Sequence, residues 1–386
     1  MRRTLKYRLY RTKHDRVLVE RIEYASEIWN HYVALTRRYY RLYGKYPGYY
    51  KLKRHLRKLK KQRRFQHWNL VGSQAAQMVI QRLDLSYQAF FDYKASKRPR
   101  VGLPSFKKRS KYTSFTLTQA GWKYEGGNRF RIGKRTFKFV LSREVTGAIK
   151  TVTVKRDRCG DLWLCLCVVE ESAYRVPHEE VTHPVGMDFG LKTFLTLSDG
   201  SEIASPLFFR MAQTEIARLN RALSRKRKAG RGSVPLRHRR AAHRRLARAH
   251  RRIAWKRRDW FFKAAHELCD RFDLIGIEDL SLKGMQRLWG RKVSDLAFGE
   301  FVEILSYVCQ KRGVVLQQVE RYYPSSKTCS TCGVVNDKLT LSDRHWRCVC
   351  GVAHDRDGNA AINIRDRAWS LSRGTVRPGV APARAA

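Results

Sequence analysis

Two groups of side chains in this sequence have the types and spacing to do chemistry. The first is a set of acids: Asp188 in VGMDFG, Glu278 in LIGIEDL and Asp357 in HDRDGNAA. Asp188 and Glu278 each follow an apolar run, in a chain with 33 acidic residues against 81 basic ones. A carboxylate at the end of a buried strand carries a desolvation cost that a metal ion or a proton offsets. Carboxylates converging from different strands can hold two divalent cations about 4 Å apart, which activate a water and stabilise the leaving oxygen of a phosphodiester. Mg2+ suits such a site, since it takes few carboxylates and keeps positions for water and substrate phosphate. The second group is Cys329-x-x-Cys332 and Cys348-x-Cys350. Two close thiolate pairs, each followed by a glycine (Gly333 and Gly351), suit one tetrahedral Zn2+ clamped between two knuckles. The second pair has one spacer residue instead of two, which leaves Cys350 and His354 as alternatives for the fourth ligand. The insert is too short for a hydrophobic core, so a metal must hold it together.

The rest of the composition says what these groups act on. The chain has 386 residues, a formal charge of +48, and 43% apolar and 11% aromatic residues. That much apolar material excludes a disordered basic tail. A compact body with this charge repels itself unless a polyanion neutralises it, so a large nucleic acid is the expected partner. No apolar run approaches the roughly 20 residues that span a bilayer. The start, MRRTLKYRLYRTK, lacks the apolar stretch of a secretory signal. With nine cysteines and no export signal, a disulfide framework is not expected, and the reading is an intracellular protein. The cysteines outside the insert (Cys159, Cys165, Cys167, Cys269, Cys309) fall in strand or helix patterns and read as core.

Periodicity places the elements that must position the two groups. Thr4 to Leu9 alternates as a short strand, and Arg16 to Tyr43 carries a helical stripe. A turn near Pro47 leads to the cationic stretch Lys51 to Arg64, with Lys51, Lys53 and Arg54, and then to a helix from about Gln74 to Tyr93. From Lys111 to Val169 the period becomes two, which predicts an antiparallel barrel or sandwich. Its aromatics, Tyr112, Phe115, Phe130, Phe137 and Phe139, read as core, with base stacking as the alternative. Beyond His183 come two strands around a turn at Gly190, then a cationic helical hairpin over about Phe209 to His266, broken at Gly230-Arg231-Gly232. Arg244, Arg245, Arg248, Arg251 and Arg252 lie off its apolar stripe. LIGIEDL then reads as a buried strand, followed by a helix near Phe298 to Lys311, the strand VVLQQVE, the cysteine insert, a helix from about Asn359 and a disordered tail from 373.

The segments QRLDLSYQAFFDY, LPSFKKRSKYTSFTL, GMDFGLKTF, IGIEDLSLKGM, YPSSKTCSTCG and AHDRDGNAAINI, in this order, resemble TnpB, the transposon-encoded RNA-guided DNA nucleases from which type V CRISPR effectors descend. The resemblance implies an α+β multidomain fold. A wedge β-barrel (1–10 and 111–180) would be interrupted by a helical recognition domain (11–110). A RuvC-like nuclease domain of ribonuclease H fold (181–320 and 352–372, with the basic hairpin at 205–266) would carry an inserted zinc ribbon (321–351). It implies Asp188, Glu278 and Asp357 as metal ligands, with Asp355 as the fallback for the third. A guide RNA from the transposon end and double-stranded target DNA are the implied partners. Their contacts are expected at the cationic positions above, at Lys107, Lys108, Arg109 and Tyr112, and at Ser325, Ser326 and Lys327 beside the ribbon, which itself touches target DNA. The implied activity is Mg2+-dependent cleavage of DNA beside a short motif, leaving a 5′-phosphate, in the cytoplasm of a prokaryote and associated with its nucleoid. Asp188-Phe189-Gly190 also spells the kinase metal-binding triplet, but no HRD loop precedes it. An actin-like ATPase reading explains neither the charge nor the cysteines. A nuclease-inactive RNA-guided repressor and a non-catalytic zinc-ribbon RNA-binding protein are the alternatives from other classes.

Overall fold

A computed structural model of the chain describes residues 2–95, 101–169, 181–190, 193–228, 235–279, 290, 295–340 and 342–373. The chain divides into two compact units, residues 1–172 and 173–383.

In the first unit, strand β1 (Arg2–Arg8) buries Leu5 and Tyr7 and leaves Arg2, Lys6 and Arg8 exposed. Helix α1 (Asp15–Tyr43) then buries Leu18, Ile22, Ala25, Trp29 and Val33 at helical spacing and ends where Gly44 takes φ 62°. Helix α2 (Gly48–Leu59) draws only Leu52, Leu56 and Leu59 into the core, so its lysines and arginines cover the remaining faces. A 3-10 segment (Arg63–Val71) joins it to α3 (Ser73–Lys94). Six strands follow: β2 (Ser114–Leu117), β3 (Trp122–Tyr124), β4 (Arg129–Ile132), β5 (Arg135–Lys138), β6 (Ala148–Arg156) and β7 (Leu162–Val169). They form one sheet of order β1-β7-β6-β2 and a second of order β3-β4-β5, linked by an antiparallel bridge between Leu9 and Phe139. Thus β1 pairs with the last strand of the unit, Leu5 opposite Leu166, and the helices interrupt the β region. Tyr112, Phe115, Phe130, Phe137 and Phe139 are all buried, which assigns them to the core. Tyr112, expected also as a nucleic-acid contact, packs its ring near Trp29 at the edge of a cleft that Arg82 and Lys107 also line.

The second unit is built on a five-stranded sheet. Its strands are β8 (Pro184–Phe189), β9 (Thr193–Leu197), β10 (Glu202–Ala204), β11 (Leu274–Glu278) and β12 (Val315–Val319), in the order β10-β9-β8-β11-β12. The first three form an antiparallel meander, whereas β8, β11 and β12 run parallel. Between β10 and β11 lie α4 (Phe208–Met211), α5 (Gln213–Lys228) and α6 (Leu236–Arg271), the expected cationic hairpin; residues 229–234, with the expected break, lie outside the described residues. Helix α7 (Phe298–Arg312) connects β11 to β12. Strand alternation then sorts the two faces. Val185, Met187, Phe189, Ile275 and Ile277 pack with Phe261, Leu268, Phe301 and Leu305 of α6 and α7. Gly186, Asp188, Gly276 and Glu278 belong to the opposite face.

After β12 comes the cysteine insert, whose hairpin β13 (His345–Arg347) and β14 (Ala353–Asp355) leads directly into the last helix, α8 (Arg356–Arg373). The hairpin therefore runs to Asp355 rather than stopping at the expected boundary of 351, because β13 needs a partner strand. Of the tail expected from 373, only Arg373 is described, as the end of α8. No helix among the described residues is long and apolar enough to cross a membrane.

Candidate active site and metal cluster

Two glycines bring the acids together. In the parallel ladder Gly276 sits opposite Gly186, so Asp188 and Glu278, each two residues further on, project at the same level from the same face. Helix α8 packs on that face. A Cβ on Gly186 would lie 2.0 Å from the Ala361 carbonyl oxygen, and one on Gly276 would lie 2.7 Å from the Ala368 Cβ. Only glycine lets the helix backbone come this close. Asp357, in the first turn of α8, is thereby delivered to the carboxyl ends of β8 and β11. There the connections of β8 and β11 depart in opposite directions, a crevice that sheets of this kind use for ligands.

The environment of Asp188 is set in part by the other two acids. Burial, then Glu278, then Asp357 push Asp188 up to about 7, and Arg356 only partly opposes them. Glu278 is also raised by burial, although it accepts a hydrogen bond from the Ser325 hydroxyl. Asp357 accepts from Arg344 (2.8 Å) and from Arg356 (3.4 Å). Asp355 is occupied otherwise: it accepts the Gly358 amide at 2.9 Å as a cap on α8 and lies 3.7 Å from His345. Among the two candidates for the third acid, the geometry therefore favours Asp357. A buried carboxylate raised by two acidic neighbours, beside a second carboxylate raised by burial, fits hard, oxygen-seeking divalent cations.

The cysteine cluster is assembled locally. The sulfur atoms of Cys329, Cys332, Cys348 and Cys350 all lie within 4.8 Å of one another. Gly333 (φ 78°) and Gly351 (φ 87°) make the left-handed turns that the knuckles require. His354 is buried beside Trp346, and its Nε2 lies 3.0 Å from the Cys329 sulfur. Cys350 thus completes the four-sulfur set, and His354 supports it from outside. Burial pushes the Cys329 thiol up, but the amides of Cys332 and Thr331 and the His354 ring outweigh it and hold it at about 5. Four sulfurs at this separation, one already favoured as thiolate, fit a tetrahedral Zn2+.

The expected nucleic-acid contacts fall into two classes. Lys51, Lys53 and Arg54 lie on α2, and the Lys53 ammonium sits 5.8 Å from the Tyr49 ring centroid. Arg245, Arg248 and Arg252 line a cleft of about 570 Å3 between α5 and α6, together with Arg218 and Arg225. Arg252 is 3.6 Å from Glu215, whereas Arg244 is exposed and Arg251 lies over the Trp255 ring. Other residues are engaged within the fold. Lys107 lies 3.9 Å from the Trp29 ring centroid, and Arg109 pairs with Glu27 and Glu23. Lys108 is exposed, and Lys327 donates to the Asp337 carbonyl. Ser326 is half-buried; Ser325 is buried, with its hydroxyl turned to Glu278.

Sequence reasoning missed Gly186, Gly276 and Asn363, and took Asn359 only as a landmark for the last helix. The glycines had a signal: each interrupts an apolar strand two residues before an acid. The asparagines had one in their spacing of four on a helix, beside the third acid.

Two family models match the chain: one described as "Probable transposase" at residues 165–288 and one described as "Cas12f1-like, TNB domain" at residues 298–364. The first stretch holds Asp188 and Glu278, the second the four cysteines and Asp357. A protein of Streptomyces pristinaespiralis named "Putative RNA-guided DNA endonuclease" is 34% identical over 320 residues, covering 81% of this chain and 75% of that one. One of Escherichia coli (strain K12), "Putative RNA-guided DNA endonuclease InsQ", is 29% identical over 311 residues, covering 76% and 73%. A solved structure titled "Cryo-EM structure of the Cas12f1-sgRNA-target DNA complex" matches with a TM-score of 0.56 at 14% identity, covering 95% of this chain and 98% of that chain, a likeness of fold. By the identity and coverage of these relatives, the chain belongs to the TnpB family.

Proposed function

We propose that this protein is an RNA-guided DNA endonuclease that hydrolyses phosphodiester bonds at the Asp188, Glu278 and Asp357 site. The observation that carries the reading is the placement of Asp188 and Glu278 at the ends of adjacent parallel strands, with Asp357 of α8 near enough to act on Asp188. The strand order, an antiparallel meander flanked by two parallel strands, supports the ribonuclease H-type (RuvC) assignment. The charge of +48 and the arginine cleft between α5 and α6 support guide RNA and target DNA as partners. In such a system base pairing with the RNA selects the target, while the protein reads backbone shape and a short duplex motif. The family supports a transposon-end origin for that RNA and a prokaryotic setting.

Asp188, Glu278 and Asp357 would hold Mg2+. When bound, the metal would supply an activated water and charge stabilisation for the leaving oxygen. Asp188, pushed toward its neutral form by burial and by its acidic neighbours, would be relieved by a bound cation. The Ser325 hydroxyl fixes one Glu278 oxygen, and Arg344 and Arg356 orient Asp357. The four cysteines would hold one structural Zn2+. The test is plasmid cleavage by the RNA-loaded chain, with Asp188→Ala as the variant. Loss of cutting with guide and target binding nearly intact is expected; unchanged cutting refutes the assignment.

A further inference from the structure

We propose that Ser325, Asn359 and Asn363 are positioning residues that tie the cysteine cluster to Glu278, so that the metal-held knuckle helps set the geometry of the acid site. The inference rests on the nuclease reading above and deepens it. The connection is a continuous chain of buried polar contacts. Ser325, Asn359 and Asn363 are 5%, 3% and 5% exposed. The Ser325 hydroxyl donates to a Glu278 carboxylate oxygen. Its backbone carbonyl accepts from Asn363 Nδ2 at 2.8 Å. The Thr328 carbonyl accepts from both Asn359 and Asn363 at 2.7 Å, and Asn359 Oδ1 accepts the Ser330 amide at 2.9 Å. Cys329, the most buried thiol of the cluster, lies between Thr328 and Ser330. The amides of Lys327 and Thr328 and the Thr328 hydroxyl all donate to the Pro324 carbonyl, at 3.0, 3.0 and 2.9 Å. Ser325 to Thr328 is therefore one closed turn, pinned at Cys329 by the cluster and at Ser325 by Glu278.

Both asparagines belong to α8, the helix that carries Asp357, four residues apart on one face. The same helix thus places one acid directly and steadies a second through the knuckle. A network that only fastened the insert to the sheet would need the asparagine contacts alone. The Ser325 hydroxyl, turned to the carboxylate, gives it a second task. Partners one step removed from a metal-binding group typically change metal affinity or activity about 10–100-fold when removed.

The test uses the full chain loaded with guide RNA. Ser325→Ala is expected to raise the Mg2+ concentration for half-maximal cleavage about 10-fold. Zinc content and melting temperature should stay near wild type, and Ser325→Thr, which keeps the hydroxyl, should restore the metal dependence. A readout apart from cleavage is Mn2+ binding to the full chain followed by electron paramagnetic resonance, with Asp188→Asn as background; Ser325→Ala should weaken it by the same factor. Cys332→Ser should lower zinc content and shift the Mg2+ dependence in the same direction, and adding Ser325→Ala should shift it no further, because both act on one path. An unchanged Mg2+ half-point in Ser325→Ala, or fully additive shifts in the double variant, overturns the inference while leaving the nuclease reading intact. Cutting by Asp188→Ala would overturn that reading instead.

Discussion

The acid site and the cysteine cluster lie side by side in the second unit but are made in opposite ways. The acids come from positions 188, 278 and 357 and meet because a buried sheet and one helix bring them together. The cysteines come from residues 329–350 and meet because two tight turns bend a short segment on itself. Large aromatic and aliphatic side chains back the sheet, whereas Cys329, Leu339, Trp346 and Cys348 are the whole buried cluster of the insert among the described residues. The acid site is therefore braced by a packed core, which sustains the electrostatic cost at Asp188. The cysteine insert has no such reserve, and the metal that its four cysteines would hold would have to supply its stability.

Removing zinc breaks this comparison most directly. Binding of a structural zinc contributes about 10–16 kcal/mol in small metal-held modules, far more than four buried side chains can replace. Chelation should expose the amides of residues 328–355 to hydrogen exchange while those of β8 and β11 stay protected. Equal protection in both would show that the insert folds unaided.

Next in size is the close approach that assembles the acids. Gly186→Ala places a methyl against the backbone of α8 and should cost about 3 kcal/mol or more, at the upper end for overpacking. Gly276→Ala, which meets the Ala368 methyl first, should cost less. Calorimetric melting of the two variants reads this difference, and both should also lose cleavage as Asp357 is levered away. A Gly186→Ala protein that melts like wild type would mean α8 does not rest on β8.

The electrostatic cost of the acid site is a smaller effect with a definite sign. Asp188 keeps its proton in the folded chain up to about pH 7, whereas the ordinary value, expected when unfolded, is 3.8. Between these values the native state binds the extra proton, so stability falls as pH rises through the window. Asp188→Asn removes that titration. In Mg2+-free buffer at pH 8 it should be more stable than wild type by ~2–3 kcal/mol, after allowance for the solvent that reaches a half-buried carboxylate. The gap should close by pH 4, and a gap independent of pH would refute the shared site.

The smallest effect is on the cationic cleft. Replacing Arg245 and Arg248 by Ala should reduce the slope of log affinity against log salt by about one unit for each phosphate left without its arginine, with no change in melting. An unaltered slope would mean these arginines face only solvent.

Much of this was legible in the residues themselves. The period of two in β8 and β11, the stripe on α1 and the paired cysteines all act over a few residues, where spacing alone decides which side chains share a face. The acids were legible because a charge at the end of an apolar run is costly enough to need a reason. Other features were not. Tyr112 and Phe130 have composition that suits either a base or a core, and only burial decides. Ser325 lies in a polar stretch that reads as surface, yet it is enclosed because α8 and the Glu278 strand close around it. Asp355 and Asp357 are both acids at the start of one helix. Capping one and turning the other to Asp188 is a matter of helix phase, set by β14 running straight into α8.

The sequence alone determined which chemistries this protein can hold: hard oxygen ligands, soft sulfur ligands and a great excess of positive charge. Those are properties of side-chain types and short spacings, and they survive in any conformation. Tertiary structure decided which of those groups meet. Contact between residues far apart in the chain depends on close packing, here on two glycines that admit a helix to a sheet, and local spacing carries no measure of that.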